Sequence, residues 1–492
     1  MDDLINRTGE RKELRRLAEK PGHHLAILYG RRRIGKTFLL SRIWEKFPVF
    51  YYLASETTAE FNRRDFIREL ADFCEDWTTV DPADLPSWRF VFRELFRCHE
   101  DRPMVVVLDE FQYLLDGDDD IRSQLVAVWD RLQREQPLLV VLSGSAVSTM
   151  RELDGPQAAL YGRVNWRRHL RPFDYWYAAE MAPYTDLRQL ATVYGVFGGT
   201  PEYLSAIDGE LSLRDNVIAH CLSPRGQVRN LVESMVDQQR GLRRIGLYRA
   251  ILTAIARGRT TLTEIADLAG IPTGTGLRRK IRKLEELGFV VGRRNFQAPP
   301  NAAYRYHLAD PALRFNRAVV QSLRNELETT AGDQIWDEHI MARLQSHMGL
   351  VFEQIVAQAY RRLHQARSLP SLREWSFWEG LDRDRRPVEM DIVARLTDKT
   401  MLTGAIKWNR RPVGASLYQD HIRDLHRLAD SGHGWARRAL SDEAKLLFVA
   451  AGGFDDSFHK VASTADAEVW TWTLEDIYSA DATDAPNVSV LN

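Results

Sequence analysis

Short apolar runs separated by longer amphipathic stretches mark the first two hundred residues, the pattern of a parallel sheet wrapped by helices. Residues 25–29, 49–53, 104–108 and 138–142 are nearly continuous in aliphatic and aromatic side chains, as strands buried on both faces are. Residues 38–47 have helical spacing. Between about 247 and 308 the texture changes: segments 247–256, 262–268 and 275–287 read as helices and are followed by two short β-like runs, 289–291 and 304–308. A mostly helical stretch continues to about residue 348. The last unit, 349–477, reads in turn as helix, strand, strand, helix and strand, and residues 481–492 read as a loose tail. There is no internal repeat and no low-complexity tract.

A chain of 492 residues exceeds the size of one ordinary domain. Its 67 basic and 68 acidic residues give a net charge of -1, and 44% hydrophobic with 27% charged residues excludes disordered and fibrous classes. Three cysteines, Cys74, Cys98 and Cys221, with no CxxC, argue against a disulfide framework or a structural zinc cluster and favour a reducing cytoplasm. No apolar run approaches the ~20 residues of a membrane span, and the charged start MDDLINRTGERKEL lacks an export signal core. The acidic cluster at residues 116–120 reads as a solvated loop, with cation attraction as the alternative.

The run at 25–29 leads directly into Gly30-Arg31-Arg32-Arg33-Ile34-Gly35-Lys36-Thr37, followed by Phe38 and helical spacing. This is G-x-x-x-x-G-K-T in its strand–loop–helix context. Glycines at both ends let backbone N–H groups curl toward phosphate oxygens, and the following helix adds its positive end. Residues 30 to 38 are therefore the expected ATP cradle. Lys36 would reach the β- and γ-phosphates and Thr37 would be a ligand of Mg²⁺. The run at 104–108 ends in Asp109-Glu110, where Asp109 would hold Mg²⁺ and Glu110 would polarise the attacking water. The run at 138–142 ends in Ser143-Gly144-Ser145, either a plain turn or a hydroxyl contact to γ-phosphate or water.

These segments, with Asp109-Glu110-Phe111-Gln112, Leu160-Tyr161-Gly162-Arg163 and Gly198-Gly199-Thr200-Pro201-Glu202-Tyr203-Leu204, resemble the archaeal-type ATPases of the AAA+/STAND group. The opening Asn6-Arg7 and Glu13-Leu14 are similar to that family's N-terminal signature, with less regular spacing. The resemblance implies an α/β P-loop NTPase over 1–175 and a helical lid over 176–240 that contains Gly199 and Pro201. It implies Ser143 or Ser145 as a γ-phosphate sensor and Arg163 as an arginine finger or sensor. For Arg163 an ordinary surface salt bridge is the competing reading. Homo-oligomeric assembly is expected with a finger of this kind.

Residues 241–320 carry fifteen Lys/Arg against five Asp/Glu, a local +10. The turn Ala269-Gly270-Ile271-Pro272 joins the second and third helices as in a helix-turn-helix, and the two strands would form a wing. Arg278, Arg279, Arg282 and Lys283 on the third helix are placed to neutralise phosphates of DNA, with RNA as a possible partner. The competing reading is an internal linker whose basic face is solvated or docked on another domain. Thr273 and Thr275 would cap that helix or touch phosphate. The resemblance places a winged helix here, followed by a helical linker over 321–348.

In Pro387-Val388-Glu389-Met390-Asp391-Ile392-Val393, strand alternation puts Glu389 and Asp391 on one face. Ala405 and Lys407 share a face on the following strand, and Glu353 opens an amphipathic helix upstream. Residues 349–480 resemble the PD-(D/E)XK nuclease fold. The resemblance implies Glu353 and Asp391 as acids for Mg²⁺ and Lys407 as the catalytic lysine. Ala405 stands where that pattern has its second carboxylate, which leaves a naturally inactive fold, a relocated acid or a deliberate inactivation open. The combined expectation is a cytoplasmic, ATP-hydrolysing, DNA-binding protein without a membrane segment. Its nucleotide state would control a Mg²⁺-dependent nuclease-like domain or, alternatively, switch a scaffold whose nuclease fold only binds.

Overall fold

The computed structural model describes residues 7–74, 86–98, 100–116, 118, 120–133, 135–239, 242–330, 332–366 and 369–479. Asn6, Gly117, Asp119 and the tail at 481–492 lie outside the described residues. The chain divides into two compact units, Met1–Arg171 and Pro172–Asn492.

The first unit is built on five parallel strands, β1 His23–Tyr29, β2 Val49–Leu53, β3 Met104–Asp109, β4 Leu138–Gly144 and β5 Val164–His169, in the order β2-β3-β4-β1-β5. The four apolar runs of the sequence reading are β1 to β4; three of them are inner strands, whereas β2, expected to be buried on both faces, is an edge strand with Leu53 exposed. β5 escapes it because Val-Asn-Trp-Arg-Arg-His is an edge strand with alternating exposure, and edges carry charge. One sheet face, with Ala26, Leu28, Val105, Val107, Leu139 and Val141, packs on Leu14, Leu39, Ile43 and Trp44. On β2 the alternate residues Phe50 and Tyr52 point the other way, into Phe66, Trp88, Phe92 and Phe96 of helices Ala59–Phe73 and Trp88–Arg97. Thr58 and Ser87 cap these helices, accepting from the N–H of Phe61 and Phe90.

Two expectations are corrected here. The helix expected over 38–47 is Lys36–Leu40 only. It unwinds through i→i−3 bonds, Arg42 N to Leu39 O and Phe47 N to Trp44 O, because Pro48 disfavours helix in the residue before it and β2 starts at once. Cys74 and Cys98 form a disulfide, with Cα atoms 6.0 Å apart. Each ends one of the two aromatic helices, so packing aligns thiols whose spacing of 24 residues gives no local signal. Cys221 is buried and free.

In the second unit the segment after Pro172 forms short helices, including Leu187–Phe197, tied to the long helix Met341–Ala366. Asp174 and Arg362 pair at 3.0 Å with both side chains fully buried, and the guanidinium lies over the rings of Trp176 and Tyr177. His347 Nε2 meets Gly195 O at 2.8 Å, and a Cβ on Gly195 would fall 2.3 Å from Met348 Sδ. Helices Ile245–Ala256, Leu262–Ala269 and Thr275–Glu286 form the helix-turn-helix. Thr261 and Glu264 close a capping box, and Gly270 ends that helix at φ +64°. Gly274 is the N-cap of the third helix, with no side-chain cap, so neither Thr273 nor Thr275 serves the capping role expected of it.

Strands β6 Val290–Arg293 and β7 Arg305–Leu308 pair antiparallel as the wing. The C-terminal sheet has the order β12-β11-β10-β9-β8, with β8 Leu372–Leu381, β9 Pro387–Leu396 and β10 Met401–Lys407 antiparallel and β11 Lys445–Ala450 and β12 Glu468–Trp472 parallel to β10. The sheet has five strands where the sequence pattern offered three; one of those it did not offer is β8, whose half-buried run lacks clean alternation. Its edge is covered by the loop after β6. Ser376 Oγ donates to Arg294 O at 2.7 Å, Phe296 N to Phe377 O at 2.9 Å and Asn295 Nδ2 to Glu379 O at 2.7 Å. Phe296 itself sits in the core of Trp378, Val388, Met390, Leu425 and Trp435. Among the described residues no helix is long and apolar enough to cross a membrane.

Candidate functional sites

The loop between β1 and helix Lys36–Leu40 is forced by close approach. A Cβ on Gly30 would lie 2.2 Å from Leu170 O, and Gly35 has φ +88°. Arg33 shares the left-handed region at φ 71°. Arg7, nearly buried, braces the loop by donating to Ile34 O and to Arg171 O, at 3.3 and 2.6 Å. Lys36 Nζ donates to Gly30 O and Arg31 O at 3.0 and 3.3 Å and lies 3.8 Å from Glu110 Oε1. Burial lowers the Lys36 pKa, opposed by the charges of Glu110 and Asp109. Arg32 donates to the Tyr113 hydroxyl and approaches Glu56 at 3.7 Å, while Phe38 is exposed beneath Arg42.

Asp109, fully buried at the end of β3, accepts from Thr37 Oγ1 at 2.7 Å and from the Tyr51 hydroxyl at 2.8 Å, both on Oδ2. The sequence reading missed Tyr51; its place beside Asp109 follows from the β2–β3 register, Tyr51↔Val107 and Leu53↔Asp109. Burial, then the Asp109 charge, raises the Tyr51 pKa, so the phenol stays a donor. Glu110 has φ 51°, which turns its carboxylate toward β4. Its Oε2 accepts from Ser145 Oγ at 2.6 Å, from Ser145 N at 3.3 Å and from Gln112 Nε2. Of the two serines weighed as sensors, Ser145 belongs to this network. Among the described residues Ser143 Oγ, which is buried, has no hydrogen-bond partner, and its carbonyl accepts from Phe111 N.

Arg163 lies elsewhere. It precedes β5 at the level of Leu25, whereas the phosphate loop follows Tyr29, about 15 Å away along the strands at ~3.3 Å per residue. Both arms of its guanidinium bind Asp130, at 2.7 Å. A sensor role toward the phosphate loop of its own chain does not fit this register, which puts Arg163 at the opposite end of the strands.

On the third helix of the helix-turn-helix, Leu277, Ile281 and Leu284 face inward, leaving Arg278, Arg279 and Arg282 exposed. Lys283 is half-buried and pairs with Glu286 at 3.6 Å. The local +10 is not all surface charge. Arg305 pairs with Glu379, Arg249 with Asp237, Arg317 is buried, and Arg293 and Arg314 turn inward toward Glu353.

At the C-terminal constellation Asp391 Oδ2 accepts from Ile406 N at 2.8 Å and lies 3.7 Å from Lys407 Nζ. Burial, then the Asp391 charge, raises Glu353 to about 7, against the pull of Arg293 and Arg314. Glu389 is likewise raised, first by burial. Ala405 packs with Leu446, Phe448 and Phe458. Among the described residues no group of three His, Cys, Asp or Glu is arranged to hold a metal ion. Glu353 and Asp391, the pair expected to hold Mg²⁺, lie within electrostatic reach of each other, with Asp391 also bound to a backbone N–H and near a lysine, Glu353 near two arginines, and a methyl group at position 405.

Residues 4–207 match the family model described as an ATPase domain predominantly from Archaea, residues 247–293 a helix-turn-helix domain, and residues 317–420 a family described as archaeal and bacterial proteins of unknown function. An uncharacterized protein of Methanocaldococcus jannaschii is 25% identical over 419 residues, which is 82% of this chain and 87% of that one. The Walker-type ATPase of Pyrococcus abyssi shares the fold, with a TM-score of 0.50 and 22% identity over 64% of this chain and 97% of that one. The chain thus carries a P-loop ATPase domain of a predominantly archaeal type, a helix-turn-helix, and a C-terminal α/β domain lying in part within a segment shared with proteins of unknown function.

Proposed function

We propose that the protein hydrolyses ATP at the loop of residues 30 to 38 and uses the nucleotide state to govern DNA binding through its helix-turn-helix. The observation that carries this is the convergence of Lys36, Thr37, Asp109, Glu110 and Ser145 from three adjacent parallel strands onto one loop. Lys36 neutralises β- and γ-phosphate, Glu110 orients the attacking water and Ser145 holds Glu110 in place. The Thr37 hydroxyl and Asp109 carboxylate, 2.7 Å apart, are hard oxygen donors that fit Mg²⁺, an ion that keeps most of its ligands as water and phosphate. Bound there, magnesium would offset charge on the transferred phosphoryl group. An arginine finger remains open to Arg163 only toward a neighbouring copy, in exchange for its pair with Asp130.

Arg278, Arg279 and Arg282 contact DNA phosphates, with Lys283 behind them. The C-terminal domain, nuclease-like in its order of Glu353, Asp391 and Lys407, recognises nucleic acid without cutting it. What supports this second reading over a working nuclease is Ala405, whose neighbours Leu446, Phe448 and Phe458 form an apolar setting that disfavours a buried carboxylate. ATP turnover measured with duplex, single-stranded and branched DNA and with RNA tests the coupling. Stimulation by one form names the partner, and turnover indifferent to all of them refutes the reading. An Ala405→Glu protein that gains Mg²⁺-dependent cleavage would restore the nuclease reading.

A further inference from the structure

Two adjoining cavities, of 330 and 220 Å³, separate the wing from the C-terminal domain, and Arg293, Glu353, Phe377 and Asp391 line both. The wing side supplies Arg293 from β6, His307 from β7 and Arg314 from helix Pro311–Phe315. Burial lowers both guanidinium pKa values, that of Arg314 to about 10, and Glu353 is the acid that opposes this for each. Among the described residues neither guanidinium has an ion pair within 4.0 Å or a hydrogen bond. His307 Nε2 is buried and without a partner as well. Its ring is neutral, pushed down to about 3 by burial and by Arg293, Arg314 and Arg305.

Arg293 and Arg314 are half-buried, and holding two partly desolvated cations side by side is unfavourable unless an anion meets them. The other acids lining the cavities do not suffice: Asp391 is engaged by Ile406 N and Lys407, Glu379 by Arg305 and Glu285 by Gly292 N, and the cations acting on Glu389 are Lys407 and Arg305 rather than Arg293 or Arg314. Glu353 is one carboxylate between two guanidiniums. Planar guanidinium forks match the tetrahedral oxygens of a phosphate. The volumes suit a single nucleotide rather than a duplex, being at or below the low end of small-ligand sites, ~300 Å³. The loop hydrogen bonds from residues 294 to 296 to β8 keep Arg293 aimed inward.

We propose that this cleft binds the terminal phosphate of a nucleic-acid strand without a metal, between Arg293 and Arg314, with His307 Nε2 completing the contact. Only the delivery of the strand rests on the DNA-binding reading above; the phosphate chemistry does not.

The test uses the full chain carrying Lys36→Ala, so that the phosphate loop does not compete, and calorimetric titration in EDTA. The probes are a short single-stranded oligonucleotide with a phosphate at its 5′ or 3′ end, the same oligonucleotide without it, and inorganic phosphate. We expect one phosphorylated form to bind at least tenfold more tightly, and Arg314→Met to erase that difference without changing affinity for the unphosphorylated strand. Glu353→Gln, which at about pH 8, above the titration of Glu353 near 7, removes a competing anion, should enlarge the difference several-fold and guards against a misfolded Arg314 variant. Equal binding of all oligonucleotides, or a smaller difference in Glu353→Gln, overturns the proposal. Inorganic phosphate that binds as tightly as the phosphorylated strand would make the source free phosphate and overturn the nucleic-acid end. If no strand binds yet phosphate binding still depends on Arg314, the DNA-binding reading fails and the cleft's anion chemistry stands.

Discussion

Replacing Glu110 by Gln separates the two tasks assigned to the nucleotide site. The carboxylate lies 3.8 Å from Lys36 Nζ, a Coulomb attraction on the order of 4 kcal/mol at an effective dielectric constant of about 20. It also accepts two hydrogen bonds from Ser145. Gln keeps the shape and one acceptor oxygen for Ser145, and Lys36 keeps the carbonyls of Gly30 and Arg31. The loop should therefore survive and ATP should still bind, within roughly threefold of the unaltered affinity, an allowance set at well under the ~1.4 kcal/mol of a tenfold change. What is lost is the base that orients water, worth ~10²–10⁴ in rate. Single-turnover phosphate release gives the rate and a fluorescent-nucleotide titration gives the affinity. Hydrolysis within about threefold of the unaltered protein, again well short of a general base's contribution, refutes the role of Glu110. Parallel loss of rate and binding would show that Glu110 only supports the loop.

Three further outcomes follow from contacts described above. Asp174→Asn should destabilise the 172–492 unit by ~3–5 kcal/mol, because a fully buried ion pair loses its carboxylate; urea unfolding followed by tryptophan fluorescence checks this, and a loss below about 1 kcal/mol, the scale of an exposed pair, contradicts it. Arg278→Ala with Arg282→Ala should reduce the slope of log affinity against log salt by about two, at ~0.9 per phosphate contact. An unchanged slope means the helix does not touch DNA. Glu353, raised to about 7, favours its neutral form in the fold, while the unfolded chain sheds that proton near pH 4.3. Its contribution to stability is thus present at acid pH and lost as pH rises from about 4.3 to about 7, a change of roughly 4 kcal/mol. Glu353→Gln should lack this slope, and superimposable pH profiles of unfolding for the two proteins would count against it.

Strands β1 to β4 of the first sheet and the phosphate loop were legible because continuous apolar runs and the G-x-x-x-x-G-K-T spacing are local properties of the chain, even though β2 proves to be an edge strand. What was not legible depended on partners distant in sequence. Tyr51 joins the site through strand register, and the Cys74–Cys98 pair forms only when two aromatic helices lie side by side. β5 was hidden by its charged edge. At the C-terminus the order of Glu353, Asp391 and Lys407 could be read, but Arg293 and Arg314 look like surface cations in a basic segment and in the fold point inward. Net charge per segment carries no information about which way a guanidinium faces.

The wing loop sets a boundary for anyone dividing this chain. Phe296 is filed in sequence with the helix-turn-helix, yet it fills the core beneath Trp378 and Trp435. A fragment ending before residue 349 would expose that ring, while one beginning there would strip β8 of its edge partner and leave a hole where the ring belongs. Protease digestion should release the helix-turn-helix and the C-terminal sheet together, and gene fusion or recombination between relatives can exchange them only as a pair.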